Sequence, residues 1–482
     1  MKSFHLNLIV SCWLTVSFSA SAALFMCGDP THLPPAGDVN SDCHVNWYDL
    51  EIFAQQWLAS DCIQPTNCFG ADLDRSGGVT LHNDFSILSG NWFRCTAPEC
   101  FRTTQSYTVF AFNDLGMHCT QPSFADMMIL PLYNDFHAVV VRRRIGDDPQ
   151  IVTSSVAIQY NIPSNTYSVG AIKKTDFWDY TQALFGAAVP VNVGLMGKKL
   201  ADTMGPGDNN DWVAHGLPIT PIRDDGQFDA YPLATVIVTV AGNEVARTQA
   251  VVPVSTEMNC QLCHNTPGLS VTMDILHKHD SLHPGYDLVN KRPVACGTCH
   301  RQEPLASLNV YPGDPAVSSL SRAMHNSHKS RFTDPAVLQA LGGDACYACH
   351  PGVVTKCLRD VHSKAGMTCT SCHVSMEAVA SLNRRPWIDE PSCGGCHPLA
   401  KNPNHANYQF EESGKLFRQS KGHMGVPCEV CHNTPHALTP ATMNVENVQT
   451  INLMGHSGVI NKCLLCHTET PTEIFPHHRD DD

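Results

Sequence analysis

Apolar residues recur at helical spacing in two short stretches near the N-terminus. Leu50, Phe53, Ala54, Trp57 and Leu58 follow an i, i+3, i+4, i+7, i+8 pattern, which predicts a helix with one apolar face. Phe85, Leu88 and Trp92 repeat that face further on. Between about 105 and 255 the pattern changes to alternating or continuous β-branched runs, at 106–112, 137–142, 151–160, 235–240 and 245–254. Pro163-Ser-Asn and Gly205-Pro-Gly-Asp-Asn-Asn read as turns between them. A mainly antiparallel, sandwich-like β domain is expected, with one helix at 177–185. Beyond 257 no period is sustained, and short helices and loops are expected. At the other end, Lys2 precedes an apolar stretch over 6–18 and then Ser19-Ala20-Ser21-Ala22-Ala23. This is the layout of a secretory signal peptide over residues 1–23. Ile9-Val10-Ser11-Cys12 offers a lipobox as the alternative. No later stretch is apolar for long enough to span a bilayer. The mature chain is therefore expected outside the cytoplasm, in the periplasm or at the cell surface, with no membrane span once the signal is removed.

Charge narrows the partners. Among 482 residues, 31 are basic and 45 acidic, for a formal charge of −14. That balance disfavours nucleic acid and anionic membrane surfaces. The unusual columns are 23 Cys and 26 His, and they cluster together.

Residues 36–100 carry two acidic loops, each followed by one of the predicted helices. The first is Asp38-Val-Asn40-Ser-Asp42-Cys-His44-Val-Asn46-Trp-Tyr-Asp49, with oxygen side chains at positions 1, 3, 5, 9 and 12. His44 stands at position 7, where a calcium loop uses the backbone carbonyl. The second uses Asp72, Asp74, Ser76, Gly78, Thr80 and Asp84. There Asn83 falls at position 12 and Asp84 at 13, as if one residue were inserted. Oxygen-rich loops of this kind suit a hard cation, and calcium is the expected ion. The pair resembles the dockerin-type repeat of bacterial extracellular proteins, which implies a receptor as partner. Cys27, Cys43, Cys62, Cys68, Cys95 and Cys100 surround the module and are expected in disulfides.

From 257 onward a single motif, Cys-x-x-Cys-His, appears seven times. Its copies are Cys260/Cys263/His264, Cys296/Cys299/His300, Cys346/Cys349/His350, Cys369/Cys372/His373, Cys393/Cys396/His397, Cys428/Cys431/His432 and Cys463/Cys466/His467. Two thiols so spaced match the two vinyl groups of one haem, and the adjacent His becomes the proximal iron ligand. Zinc needs no His after every second Cys, and seven tandem redox dithiols would be redundant. Seven c-type haems are expected, with about 30 residues each over 260–467. So little protein cannot wrap each porphyrin, and the macrocycles themselves must supply much of the core.

A second ligand is needed for each iron. Outside the motifs, 257–482 holds twelve His, against six in 24–256. That excess favours bis-histidine haems of low potential. Met324, Met424 and Met454 stand beside or near candidate His and offer the alternative ligand. His325 and His328 are placed to serve two neighbouring haems. His423 and His436 flank the sixth motif, His456 precedes the seventh, and Asp280 beside His279 can orient it. His477 and His478 lie in a charged tail.

The stretches Phe112-Asn-Asp-Leu-Gly-Met-His118-Cys119, Cys346-Tyr-Ala-Cys-His-Pro-Gly, Thr355-Lys-Cys357-Leu-Arg-Asp, Gly422-His423 and Pro435-His436-Ala resemble motifs of large exported bacterial multihaem cytochromes. The resemblance covers roughly 105–470 and implies His118 as a distal ligand reaching in from the β domain. The expected distal set is then His118, His279, His325, His328, His423, His436 and His456. Cys119 and Cys357, outside every motif, are expected to pair as a disulfide.

The expected architecture is multidomain. A signal peptide (1–23) precedes a small α module of paired calcium loops (36–100). A mainly-β sandwich-like domain (101–256) and an irregular, mostly helical and loop multihaem cytochrome c domain (257–475) follow. The leading functional expectation is extracytoplasmic electron transfer with redox proteins as partners. One alternative is a multihaem oxidoreductase acting on a small nitrogen or sulfur compound at one open haem. No Cys-x-x-Cys-Lys motif, which would have favoured that alternative, is present. Another alternative is a structural, filament-forming surface cytochrome.

Overall fold

A computed structural model describes residues 34–62, 67–94, 105–303, 305–307, 309–397 and 411–471. The expected signal peptide, His477, His478, Cys27, Cys95 and Cys100 lie outside them. The chain forms two compact units, 1–104 and 105–482.

In the first unit, α1 (Trp47–Gln55) and α2 (Asp84–Gly90) follow the two acidic loops. Phe53, Val39, Val45, Ala71, Val79 and Leu88 form the core, with Leu50, Ile52, Phe85 and Trp92 against it. The helical face is shorter than the periodicity predicts. α1 ends at Gln55, and Trp57 and Leu58 are exposed. The chain turns at Leu58 (φ 60°) to bring Ala59 and Ser60 to the second loop, where Val79 N–H donates to Ala59 O (2.9 Å). The reciprocal contact ties the first loop to the end of α2, with Val45 N–H donating to Arg94 O (2.8 Å). Cys62 and Cys68 are disulfide-bonded, and Cys43 is also in a disulfide.

In chain order the strands of the second unit are β1 (Gln105–Phe112), β2 (His118–Cys119), β3 (Met127–Met128), β4 (Phe136–Arg144), β5 (Gln150–Ile151), β6 (Ala157–Asn161), β7 (Ala201–Thr203), β8 (Gly205–Pro206), β9 (Trp212–Ala214), β10 (Leu233–Val240), β11 (Asn243–Val251), β12 (Val254–Ser255) and β13 (Val294–Ala295). One antiparallel sheet runs β1-β4-β9-β8, with β5 on β4, and the other runs β11-β10-β6-β7. Val109, Ala111, Phe136, Ala138 and Val140 of the first share a core with Ile158, Tyr160, Ala234, Val236 and Val238 of the second. The run over 151–160 is broken, because the chain leaves the sheet after Ile151 and passes through Ser155 at φ 65° before β6. Gly205 and Pro206 form an edge strand rather than a turn. An edge is where a proline's missing donor is tolerated. α3 (Phe177–Phe185) packs Phe177, Trp178 and Leu184 against Phe124, Met128, Leu132 and Ala295.

The motif-bearing chain is built onto this sandwich. Phe110, Phe112, Val139 and Val141 point away from the sandwich core and pack on Val430, with Cys431, Leu465 and Cys466 against them. β4 is therefore buried on both faces, which explains its continuous rather than alternating apolar run. Two short parallel pairings lead the chain into motifs. β12 on β2 precedes Cys260, and β13 on β3 precedes Cys296. Among the described residues no helix is long and apolar enough to cross a membrane.

Gln449 closes the seam between β1 and β11. Its side-chain oxygen accepts from Ala111 N (2.7 Å) and Thr248 Oγ1 (2.9 Å), and its Nε2 donates to Ala111 O (3.0 Å). Gln449→Leu strands a buried backbone N–H and C=O, so about 2–4 kcal/mol of stability should be lost in denaturant unfolding of the matured protein.

Candidate functional site

Each Cys-x-x-Cys-His stretch folds as one helical turn. In five of them the His N–H donates to the first Cys carbonyl at 2.8–2.9 Å, as in His264 to Cys260 and His350 to Cys346. The remaining two are the short helices Cys369–His373 and Cys428–His432. Residues i, i+3 and i+4 share a helix face, so each turn presents two sulfurs and an imidazole to one side.

None of the motif cysteines is in a disulfide, so no sulfur of any turn is tied up in a cross-link: Cys260 and Cys263, Cys296 and Cys299, Cys346 and Cys349, Cys369 and Cys372, Cys393 and Cys396, Cys428 and Cys431, Cys463 and Cys466. In the second motif the tight turn spans Cys296–Thr298 and ends before Cys299, rather than running through the second sulfur as it does at Cys369–His373. Cys299 stays in place through its backbone. Its N–H donates to Cys296 O (3.3 Å), and its carbonyl accepts from Asp314 N (2.9 Å), which folds the following loop back onto the motif.

Five motif imidazoles face a second imidazole at nearly constant separation. Ring centroids lie 6.3 Å apart for His264–His328, 6.1 Å for His350–His325, 6.1 Å for His397–His362, 6.2 Å for His373–His436 and 6.1 Å for His467–His423. Two nitrogen–metal bonds of about 2 Å, plus the two ring radii, require about 6.3 Å. His279 has His300 of the second motif among its charged neighbours. Ring orientation agrees, since Nδ1 of His300, His325 and His328 bonds Ser318 O (2.8 Å), Ser321 O (2.6 Å) and Met324 O (2.7 Å) respectively. Those bonds leave Nε2 for a metal. Partial burial lowers the His436 pKa to about 4, which favours the neutral form that a metal requires.

Other observations fit a group carrying two sulfur links and carboxylates. A cavity of about 950 Å³ is lined by Cys372, His373, Arg384 and Trp387 among others. Arg384 Nη1 and Trp387 Nε1 are buried there without a hydrogen-bond partner, as is Arg322 Nε elsewhere. Such donors suit haem propionates.

Six of the seven motifs are neighbours in a series. Cys349 of the third has Cys260 and Cys263 of the first beside it. Cys346 and Cys369 join the third to the fourth, Cys372 and Cys396 the fourth to the fifth, Cys393 and Cys428 the fifth to the sixth, and Cys431 and Cys466 the sixth to the seventh. α4 (Leu320–His328) serves two sites, because His325 faces His350 while His328 faces His264. Glu257 clamps the loop after the third motif. Its carboxylate accepts from the backbone N–H of Gly352, Val353, Val354 and Thr355 and from Thr355 Oγ1, at 2.6–3.3 Å. Partial burial opposes its charge, but these donors outweigh it and hold its pKa below the ordinary value.

Of the expected second histidines, His325, His328, His423 and His436 stand opposite motif imidazoles, and His279 lies near His300 of the second motif. His362 stands opposite a motif imidazole too, although it was not among the expected distal ligands. The available signal was Asp360, whose Oδ2 lies 3.1 Å from His362 Nδ1. His118 and His456 do not pair this way. His118 sits on β2 with Nε2 2.7 Å from Pro131 O, and burial lowers its pKa to about 4. His456 lies against its own turn, with Nδ1 3.1 Å from Ser457 O. The loop before His118 does reach the sites, because Gly116 (φ 67°) packs against His436 and Pro435. Arg359 N–H donates to His436 O (2.8 Å), so the Thr355–Asp360 and Pro435–Ala437 stretches also meet. Cys119 and Cys357 are neighbouring free thiols rather than a disulfide; both are partly buried, and desolvation pushes both pKa values up, Cys357 to about 11.

The acidic loops converge as two equivalent clusters, Asp38/Asp42/Asp49 and Asp72/Asp74/Asp84. Asp49 accepts from Val39 N (2.7 Å), Asn40 N (3.2 Å) and Asn46 N (2.8 Å). Asp84 accepts from Leu73 N (2.7 Å), Asp74 N (3.1 Å) and Thr80 N (2.8 Å). Asp84 thus takes the role of Asp49, and the inserted residue lies between Thr80 and Asp84. Asn83 instead donates to Asp74 Oδ2 (2.7 Å), and Asn46 caps α1 by accepting from Tyr48 N (2.8 Å). Asn40 accepts from Asp42 N, and His44 N–H and Ser76 N–H donate to Asp42 and Asp74. Gly78 bridges Ser60. Convergent carboxylates of this kind fit calcium.

No protein-family profile, curated protein or solved structure matches the chain.

Two outcomes are expected. Calorimetric titration of the EGTA-treated protein should show two calcium equivalents, falling to one in Asp84→Asn and staying at two in Asn83→Ala. Glu257→Gln should cost about 1 kcal/mol at pH 7. A lowered folded pKa contributes stability above the unfolded value of about 4.3. That difference from wild type should shrink as pH falls through the folded pKa, which denaturant titrations at neutral and acid pH would record.

Proposed function

We propose that this exported chain carries electrons outside the cytoplasm through seven covalently attached c-type haems, most of them held between two imidazoles. The observation that carries the reading is the fixed 6.1–6.3 Å spacing of five motif imidazoles from five others. When bound, a bis-imidazole haem c supplies a one-electron couple of low potential.

The chain's own residues bind, orient and order the sites. The helical turns place sulfurs and imidazole on one face, and backbone carbonyls fix the Nδ1 protons of the second ligands. Neighbouring sulfurs place the first, third, fourth, fifth, sixth and seventh motifs in one continuous series, as a conduit requires. Redox proteins are the partners of that series. The calcium-loop module adds a second contact, to a receptor, and calcium holds its loops in shape.

The test is the spectrum of the dithionite-reduced, matured protein with and without carbon monoxide. A carrier with every iron capped on both sides should be unchanged. His362→Ala should open one haem in seven to carbon monoxide, whereas His456→Ala should open none. A one-in-seven response in the wild type would favour a multihaem oxidoreductase instead. A His362→Ala variant identical to wild type would reject the His362–His397 pairing.

A further inference from the structure

A second group of ligating side chains lies between the sandwich and the sixth motif. Asp114 follows β1, Asp135 immediately precedes β4 and His137 lies at its start, and Asp211 and His215 flank β9. Glu429, inside the sixth motif's turn, and Arg418 face them across the seam.

The geometry is that of a metal's coordination edge. One ligand atom each from Asp114, Asp135 and His137 lie within 4.8 Å of one another. His137 Nε2 is 3.3 Å from Asp114 Oδ1, yet both atoms are buried and neither is hydrogen-bonded. Two donors bound to one ion at about 2.1 Å stand about 3.0–3.4 Å apart. The other nitrogen, His137 Nδ1, lies 2.6 Å from Asp211 Oδ2. A carboxylate in that position holds the proton on Nδ1 and turns the Nε2 lone pair toward Asp114. Asp135 is likewise held from behind, by His215 Nδ1 (2.8 Å) and Gly216 N (2.9 Å).

Glu429 gives the independent indication. It is 2% exposed, its Oε1 has no hydrogen-bond partner, and its charged neighbours are Asp114, His137, Arg418 and Asp211. A buried carboxyl oxygen with no partner is costly, a cost that a bound cation would relieve.

We propose that Asp114, Asp135 and His137, with Glu429 beside them, bind a divalent transition-metal ion of the zinc class. An imidazole among carboxylates selects such an ion over calcium, which the all-oxygen loops of the first unit select. The site stands on these side chains alone and is independent of the electron-transfer reading. The competing arrangement is an imidazolium at His137, bridging Asp114 and Asp211 with no metal.

The test uses the matured full-length protein, stripped with EDTA and titrated with zinc, with bound zinc counted by mass spectrometry against haem iron. The expected result is one tightly held zinc per chain. Asp114→Asn and His137→Gln should each weaken it at least tenfold at unchanged haem content, and Asp49→Asn should leave it intact. Zinc-edge X-ray absorption of the wild type keeps the proposal testable should both variants fail to mature. Nitrogen and oxygen neighbours are expected there. Sulfur neighbours, no uptake by the wild type, or uptake indifferent to Asp114 and His137 would each overturn the proposal.

Discussion

The paired imidazoles, 6.1–6.3 Å apart between centres, do not hydrogen-bond to one another and meet at angles from 26° to 61°, so no one direct attraction explains the shared spacing. A metal held by both, as proposed above, would. Such a constraint would organise residues 257–471, whose buried apolar side chains among the described residues are few and scattered: Leu276, Leu305, Tyr311, Leu341, Val430 and Met454 are the larger ones. A chain with so little core of its own is held by carboxylate clamps such as Glu257 and by buried ion pairs such as Arg359–Glu446 (2.5 Å), to which the proposed ligation would add. Breaking such a pair from one side is expensive, which makes it a positioning device more than a source of net stability.

The sandwich supplies the rigidity that the motif region lacks. Its two sheets enclose a conventional core between them, while the outer face of β1 and β4 becomes the floor for the sixth and seventh motifs. Hydrogen bonds fix the floor in register, with Thr108 Oγ1 donating to Leu465 O (2.6 Å) and Gln449 standing in as a strand partner for Ala111. Short parallel pairings do the same for the first and second motifs. Seven turns of nearly identical local shape thus acquire individual positions from different parts of one scaffold.

Local pattern was legible wherever chemistry or periodicity acts over a few residues. The acidic loops, the β runs and the helix over 177–185 all appear at or close to their expected positions. Where the reading slipped, a longer-range contact won. Trp57 and Leu58 left the helical face because Ala59 had to reach Val79, and 151–160 split because the chain changes sheets. His362 was passed over although Asp360, two residues before it, lies against its ring, and His118 turned its ring to Pro131 O within the β region.

By itself the sequence determined that seven turns would each offer two sulfurs and an imidazole on one face, since i, i+3 and i+4 coincide on any helical turn. It also determined that two acidic loops would gather carboxylates, and that one of them carried an extra residue. The partner of each motif imidazole, the order in which motifs become neighbours, and the meeting of Asp114, Asp135, His137 and Glu429 were decided only by the tertiary structure. The physical reason is that a second ligand needs only to arrive at the right distance. Arrival depends on how a sandwich of fixed shape bends the chain around it, which no local spacing encodes.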